Sequence, residues 1–289
     1  MVTHCIGTLL PIQLSIRSVL PRMRKENPNC PLCYSQYMTA PVSELKGPVK
    51  ALFTDLDGTL TSDGRVEAAT YAALHKLTEN GIPVVLVTGR PAGWGQAIAS
   101  LWPVAAVVTE NGGVSFIDGR KEYGVPPASL PDWKRRMRTA ATEAMDEVPG
   151  ARMSGDSKYR EVDSAIDWNE ESKLPLEDAN KLVELLRARG FTATRSSVHV
   201  NFGPPKFDKL SACKHIVEKV FGGQADDLRD YVFIGDALND APMFAGFEKA
   251  VGVANVRKWW DDLESKPKFV CENAEGAGAR ELIEHLLTI

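Results

Sequence analysis

The sequence predicts an α/β fold: a doubly wound, mainly parallel core with an inserted α+β domain. Two patterns carry that prediction. Short, fully apolar runs alternate with helical periodicity over residues 48–113, and each run stops at a polar cluster, as buried parallel strands do. The rhythm then changes to charged helices and alternating runs over residues 114–200, and the first rhythm resumes over residues 201–289.

Taken in order, residues 1–47 stand apart. They show no useful periodicity and carry Pro11, Pro21, Pro28, Pro31 and Pro41. The first 25 residues hold Arg17, Arg22, Arg24 and Lys25 and no acid, a transit-peptide-like composition without an amphipathic face. The expectation is a dispensable or disordered extension, with Met38 as the natural start.

From Val49 a buried run ends at Asp55, and Val66, Ala69, Ala73, Leu74 and Leu77 then recur at helical spacing up to Gly81. Pro83–Val87 forms the next strand, ending in Thr88-Gly89-Arg90. A helix through Ala97–Leu101 precedes a third strand at Val104–Val108. In the inserted region, helices are expected over Pro131–Glu147 and Leu176–Arg189. Strands are expected over Tyr159–Trp168, Thr192–Thr194 and Val198–Phe202. The core then resumes with a helix at Lys209–Phe221 and strands at Tyr231–Ile234, Lys249–Val253 and Lys268–Cys271. A helix over Ala279–Leu287 closes it.

Bulk composition narrows the function. The chain has 289 residues, 44% of them hydrophobic, enough for a real core. Lys and Arg number 34 against 38 Asp and Glu, a net charge of −4, which gives no electrostatic reason to expect nucleic acid or an anionic membrane as partner. No apolar run reaches the ~18–20 residues of a membrane span. The five cysteines (Cys5, Cys30, Cys33, Cys213 and Cys271) are odd in number and scattered, so a reducing cytoplasm is the expected setting. Cys30 and Cys33 have the spacing of half a zinc site, but no second pair follows, and they read as two plain thiols.

Ligands of open α/β sheets sit beyond the carboxyl ends of the strands. Four polar clusters fall there or at helix starts: Asp55-Leu56-Asp57, Thr88-Gly89-Arg90, Lys209, and Asp236 through Asn239 and Asp240. Their chemistry suits phosphoryl transfer to water. Acids can hold Mg²⁺, a hydroxyl and backbone amides can take phosphoryl oxygens, and a lysine can neutralise charge. Asp55 is expected as the nucleophile and Asp57 as the proton carrier, with one proton shared by the pair. Thr59 is expected to tie the turn after Gly58. Asp236 is the further metal ligand and Asp240, one helical turn on, supports it. Lys209 follows Asp208, a plausible N-cap, and would face the phosphate from a helix start.

These residues closely resemble the haloacid dehalogenase-like phosphatases, and the inserted domain is similar to the α/β cap of the Cof-type subfamily. That subfamily includes sucrose-phosphate, trehalose-phosphate and mannosyl-3-phosphoglycerate phosphatases. Asp55 through Leu60, Val87 through Arg90 and Gly235 through Asp240 match its first, second and fourth motifs; the resemblance spans about residues 49–289. It implies catalysis by Asp55 and Asp57, phosphate binding by Thr88, Gly89, Lys209 and Asn239, and Mg²⁺ on Asp55, Asp57, Asp236 and Asp240. The third motif departs from the usual Lys-Gly: here it reads Lys209-Leu210, with Lys206 and Lys214 nearby. In the cap, Arg160, Ser164 and His199 are the candidates for substrate recognition, with Asn201 beside them.

The reading is therefore a Mg²⁺-dependent phosphatase acting on a small phosphorylated metabolite, a sugar phosphate or phosphoglycerate-like compound, through an aspartyl-phosphate. A phosphosugar mutase and a non-catalytic phosphate-ligand binder are the alternatives.

Overall fold

The computed structural model describes residues 39–205 and 207–289. The expectations for the N-terminal segment up to Met38, including Cys30 and Cys33, and for Lys206 lie outside the described residues.

The first half of the core contributes β1 (Ala40–Pro41), β2 (Ala51–Thr54), β3 (Thr61–Ser62), β4 (Arg65–Val66), β5 (Val84–Val87), β6 (Ala106–Thr109), β7 (Val114–Ile117) and β8 (Arg120–Tyr123). Between them lie helices α1 (Ala68–Glu79) and α2 (Ala92–Leu101). The cap follows with α3 (Leu130–Glu147), β9 (Arg152–Met153), β10 (Ser164–Asp167), α4 (Leu176–Ala188), β11 (Thr192–Arg195) and β12 (His199–Gly203). The chain returns to the core as α5 (Lys209–Phe221), β13 (Tyr231–Gly235), α6 (Ala241–Gly246), β14 (Lys249–Gly252), β15 (Phe269–Val270) and α7 (Glu275–Leu286).

The main sheet runs β1-β15-β14-β13-β2-β5-β6-β7-β8. Its strands are parallel from β1 through β6, and the β7–β8 hairpin adds antiparallel at one edge. Strand alternation divides the core between two faces. Leu52, Val84, Leu86 and Val107 pack with Leu74, Ile98 and Leu282 on one side. Phe53, Val85, Val87 and Val108 pack with Cys213, Ile216 and Phe244 on the other. Both faces are covered, so the parallel strands read as unbroken apolar runs. Phe53 meets Phe221, Tyr231 and Phe247 within 6.3 Å; truncating such a ring to Ala costs about 3–5 kcal/mol.

The cap sheet, β11-β12-β10-β9, is antiparallel. Its buried face, with Ile166, Val200 and Phe202, packs on Ala140, Ala144, Leu182 and Leu186 of α3 and α4. Two expected boundaries move. Residues 114–123 pair with the core sheet, and residues 201–203 remain in the cap strand β12, so the exchange between sheets falls after Tyr123 and after Gly203. The expected strand over Tyr159–Trp168 shrinks to Ser164–Asp167, because the amides of residues 161–163 are taken by a side chain, Glu110, in place of a ladder. Cys213 and Cys271 are free and buried. Among the described residues no helix is long and apolar enough to cross a membrane.

Candidate active site

Asp55 sits one residue past β2, its amide still bonded to the Ile234 carbonyl of β13 at 2.9 Å. The chain then turns sharply at Gly58, whose φ is +74°. A Cβ there would overlap the Asp236 carboxylate, so the absence of a side chain lets the two acidic loops abut. Thr61, and not Thr59, ties this turn: its hydroxyl accepts from the Gly58 amide at 2.9 Å and donates to the Leu56 carbonyl at 3.4 Å. The Thr59 hydroxyl is buried without a partner among the described residues. Asn255 braces both loops, donating to the Gly58 carbonyl at 2.9 Å and to Asp236 Oδ2 at 3.1 Å.

Lys209 opens α5, whose N-cap Asp208 accepts from the Ser211 amide while the Ser211 hydroxyl answers to the Asp208 amide. The helix start delivers the ammonium into the core site: Nζ donates to Asp55 Oδ1 and to Asp240 Oδ1, each at 2.7 Å, with the lysine 1% exposed. Burial works against this charge, yet the two carboxylates raise the lysine's pKa overall. Lys214 pairs instead with Asp226 at the surface. Asp240 is also held by the backbone, its Oδ2 accepting the amides of Asp236 and Ala237 at 3.0 and 3.2 Å. Asp236 is different: its Oδ1 is buried without a partner among the described residues. Burial, then Asp55 and Asp240, push its carboxyl well up. Burial likewise pushes Asp55 up to about 7, with Lys209 pulling the other way.

A buried, unpartnered acceptor beside two further carboxylates suits a divalent cation. One oxygen from each of Asp55, Asp236 and Asp240 lies within 4.8 Å of the others. The side chains present therefore fit a metal.

Asp55 and Asp57 do not share a cation. Each aspartate has its own cation: Asp55 has Lys209, and both oxygens of Asp57 are forked by Arg90, from Nε at 2.8 Å and Nη2 at 2.7 Å. Arg90 also donates to Glu170 of the cap from Nη2 at 2.7 Å and Nη1 at 3.2 Å, and stacks on Trp94 at 4.6 Å. His199 Nε2 lies 2.9 Å from the same Glu170. That hydrogen bond, ahead of the Arg90 fork, holds the Glu170 carboxyl down at about 2. Thr88 is buried, and its hydroxyl accepts from the Arg90 amide at 3.0 Å, shaping the turn that aims the guanidinium.

The remaining candidates separate. Gly89, Asn239 and His199 line the cleft with Asp55, Asp57 and Asp236. Asn239 and Asn201 also line a neighbouring cavity of about 400 Å³ that reaches Lys209. Asn239 donates to Asn111 at 3.3 Å. Arg160 is not brought to the cleft: it is buried, donating to Asp163 at 2.7 Å and to the Gly89 carbonyl at 3.0 Å, a strut between cap and core. Ser164 sits in β10 opposite Phe202 and does not line the cleft. A second strut is Glu110, fully buried, which accepts the Ala92 amide of the core and the amides of Glu161, Val162 and Asp163 of the cap at 2.6–2.8 Å. Close approach of Tyr159 to Gly93, where a Cβ would stand 2.9 Å from the tyrosine Cβ, completes this contact.

Sequence reasoning missed Arg90, Glu110 and Glu170 as site residues. Arg90 was visible in the Thr88-Gly89-Arg90 run, and Glu110 in the turn after β6. Nothing in the local sequence singles out Glu170.

Comparison with known proteins places this geometry among relatives. Residues 52–123 match the profile of the haloacid dehalogenase-like hydrolases. A phosphoglycolate phosphatase of Methanothrix thermoacetophila is 30% identical over 245 residues, covering 82% of this chain and 97% of its own. One of Methanobrevibacter smithii is 27% identical over 244 residues, with coverage of 82% and 97%. Among solved structures, a Thermoplasma acidophilum protein superimposes with a TM-score of 0.67 at 20% identity, covering 84% of this chain and all of that one.

Proposed function

This chain belongs to the haloacid dehalogenase-like hydrolases, and on that premise we propose that it is a Mg²⁺-dependent phosphatase that hydrolyses a small phosphomonoester through an aspartyl-phosphate on Asp55. A phosphoric monoester hydrolase of small phosphorylated compounds is the activity common to its relatives. The observation that carries the finer reading is the buried set at the ends of β2 and β13: Lys209 bridging Asp55 and Asp240, with the unpartnered Asp236 oxygen beside them.

Asp55, Asp236 and Asp240 would hold the cation, together with the Asp57 residue. When bound, it supplies the positive charge that keeps these buried carboxylates ionised and offsets the charge of the phosphoryl oxygens. The chain's own residues do the rest. Lys209, Thr88, Gly89 and Asn239 surround the phosphoryl group, Lys209 from a helix start whose dipole favours an anion. An Asp55 oxygen attacks phosphorus as the ester oxygen leaves, and Asp57 gives that oxygen its proton. Asp57 then takes a proton from the water that attacks the aspartyl-phosphate, which restores Asp55 and releases phosphate. Because Arg90 forks both Asp57 oxygens, one of them must come off the guanidinium before it can serve the leaving group.

The relatives named phosphoglycolate phosphatase support a leaving group of a few atoms over the sugar phosphates expected from the sequence. Among the described residues nothing in the cap favours the mutase reading: Arg160, expected to recognise substrate, is spent on Asp163 and Gly89.

The test is phosphate release from a panel of phosphomonoesters with Mg²⁺, comparing wild type with Asp55→Asn. Loss of the nucleophile should lower kcat by at least about 10³-fold. Undiminished release by Asp55→Asn would exclude the aspartyl-phosphate route, and isomerisation of a sugar phosphate without free phosphate would favour the mutase.

A further inference from the structure

Glu170 lies in the loop that follows β10 and meets the cleft from the cap side. Its carboxylate is received by two buried groups: Arg90, through Nη2 at 2.7 Å and Nη1 at 3.2 Å, and His199 Nε2 at 2.9 Å. The receivers are fixed, with side chains 5% and 2% exposed, whereas the Glu170 side chain is 35% exposed. The loop itself is pinned separately, because Asp167 accepts the amides of Glu170, Glu171 and Ser172 at 2.7–3.0 Å. The Glu170 side chain can therefore leave without the loop unfolding.

The receiving pair stands beside the reacting atoms. The same Arg90 Nη2 that holds Glu170 also holds Asp57 Oδ1 at 2.7 Å. A leaving oxygen protonated by Asp57 is thus next to the guanidinium edge that now holds Glu170. In the phosphate ester of a 2-hydroxycarboxylate, a single carbon separates the ester oxygen from the carboxylate. Such a substrate can give its ester oxygen to Asp57 and its carboxylate to Arg90 and His199.

We propose that Arg90 and His199 form a carboxylate subsite for the leaving group, occupied in this structure by the Glu170 side chain, which the substrate carboxylate displaces. This inference rests on the phosphatase reading and names its substrate class: phosphate esters of small 2-hydroxycarboxylic acids. Glu170 opposes only such substrates, since a leaving group without a carboxylate has nothing to exchange for it and leaves the Arg90–Glu170 contact in place. His199 is a binding residue in this scheme, and Glu170 acts only as the competitor it excludes.

The experiment compares 2-phosphoglycolate with ethyl phosphate, which has the same skeleton with a methyl in place of the carboxylate. Steady-state kinetics with Mg²⁺ are measured for wild type, Glu170→Gln, Glu170→Ala and His199→Gln. Removing the internal carboxylate should lower KM for 2-phosphoglycolate and raise its kcat/KM relative to ethyl phosphate by about tenfold, the scale of one hydrogen bond to a charged group. His199→Gln should move that ratio about tenfold the other way. If the Glu170 variants shift both esters equally, or raise KM for 2-phosphoglycolate alone, Glu170 is a structural tie and the subsite is refuted. Wild-type hydrolysis of both esters with an unmoved ratio would remove the subsite and leave the phosphatase standing. Absence of hydrolysis of any ester would remove both.

Discussion

Glu110 offers the sharpest energetic test of how the cap is held. Its Oε1 accepts the amides of Ala92 and Glu161, and its Oε2 those of Val162 and Asp163, all at 2.6–2.8 Å in a fully buried setting. Glu110→Gln keeps the shape but replaces one oxygen with an NH₂ that faces two donors. Two hydrogen bonds to a charged acceptor are lost, at about 1.5–3 kcal/mol each, or about 3–6 kcal/mol together. For a protein of this size each kcal/mol moves the melting temperature by about 2–4 °C, so the fall should be at least about 6 °C. Differential scanning calorimetry reads it directly. Glu110→Asp, one methylene shorter, should fail to span core and cap and lose stability as well. A Glu110→Gln protein melting within about 2 °C of wild type would refute the claim that this side chain carries four amides.

The other predictions concern charge. Lys209→Met should leave Asp55 and Asp240 facing each other without a cation, at a cost of about 3–5 kcal/mol. Urea unfolding in chelator should show that loss, and added Mg²⁺ should recover part of it; equal midpoints for variant and wild type in chelator would contradict the assignment. Mg²⁺ alone should raise the melting temperature of wild type, by the equivalent of about 2.7 kcal/mol at 100 times its Kd. Asp236→Asn should abolish most of that rise, and a full rise in the variant would place the cation elsewhere. Burial pushes the Asp163 carboxyl up to about 8, against the pull of Arg160. Between about pH 4 and pH 8 the folded chain thus keeps a proton that the unfolded chain has released, and stability falls as pH rises through that window. The difference in urea midpoint between wild type and Asp163→Asn should change between pH 5 and pH 8, and a constant difference would mean that Asp163 titrates normally.

What the sequence made legible is what local pattern records. Buried parallel strands are apolar throughout and end where the sheet ends, so Asp55, Thr88 and Asp236 were marked by the residues before them. The Asp208 cap marked Lys209 in the same way. The β7–β8 hairpin was misplaced in the cap because β8, Arg120–Tyr123, has charged residues on an exposed edge, a pattern common to any half-solvated strand. Arg160 was misread because one of its partners, the Gly89 carbonyl, comes from the core 71 residues away, and a buried arginine and a substrate arginine look alike in a strand-like run. Glu110, Glu170 and the role of Arg90 depend on pairs separated by 18 to 80 residues, which leave no periodicity.

The order in which β2 acquires its neighbours bears on how the protein is made. β5 follows it closely, but β13, on its other side, arrives only after the entire cap has been synthesised. A chain emerging from the ribosome therefore passes through a long interval in which the Phe53 strand has one open, apolar edge, the kind of surface that invites mispairing. The cap has its own sheet and its own buried cluster and can fold during that interval. The proposed site is then incomplete until late, because Asp55 meets Lys209, Asp236 and Asp240 only when the last third of the chain has closed the sheet.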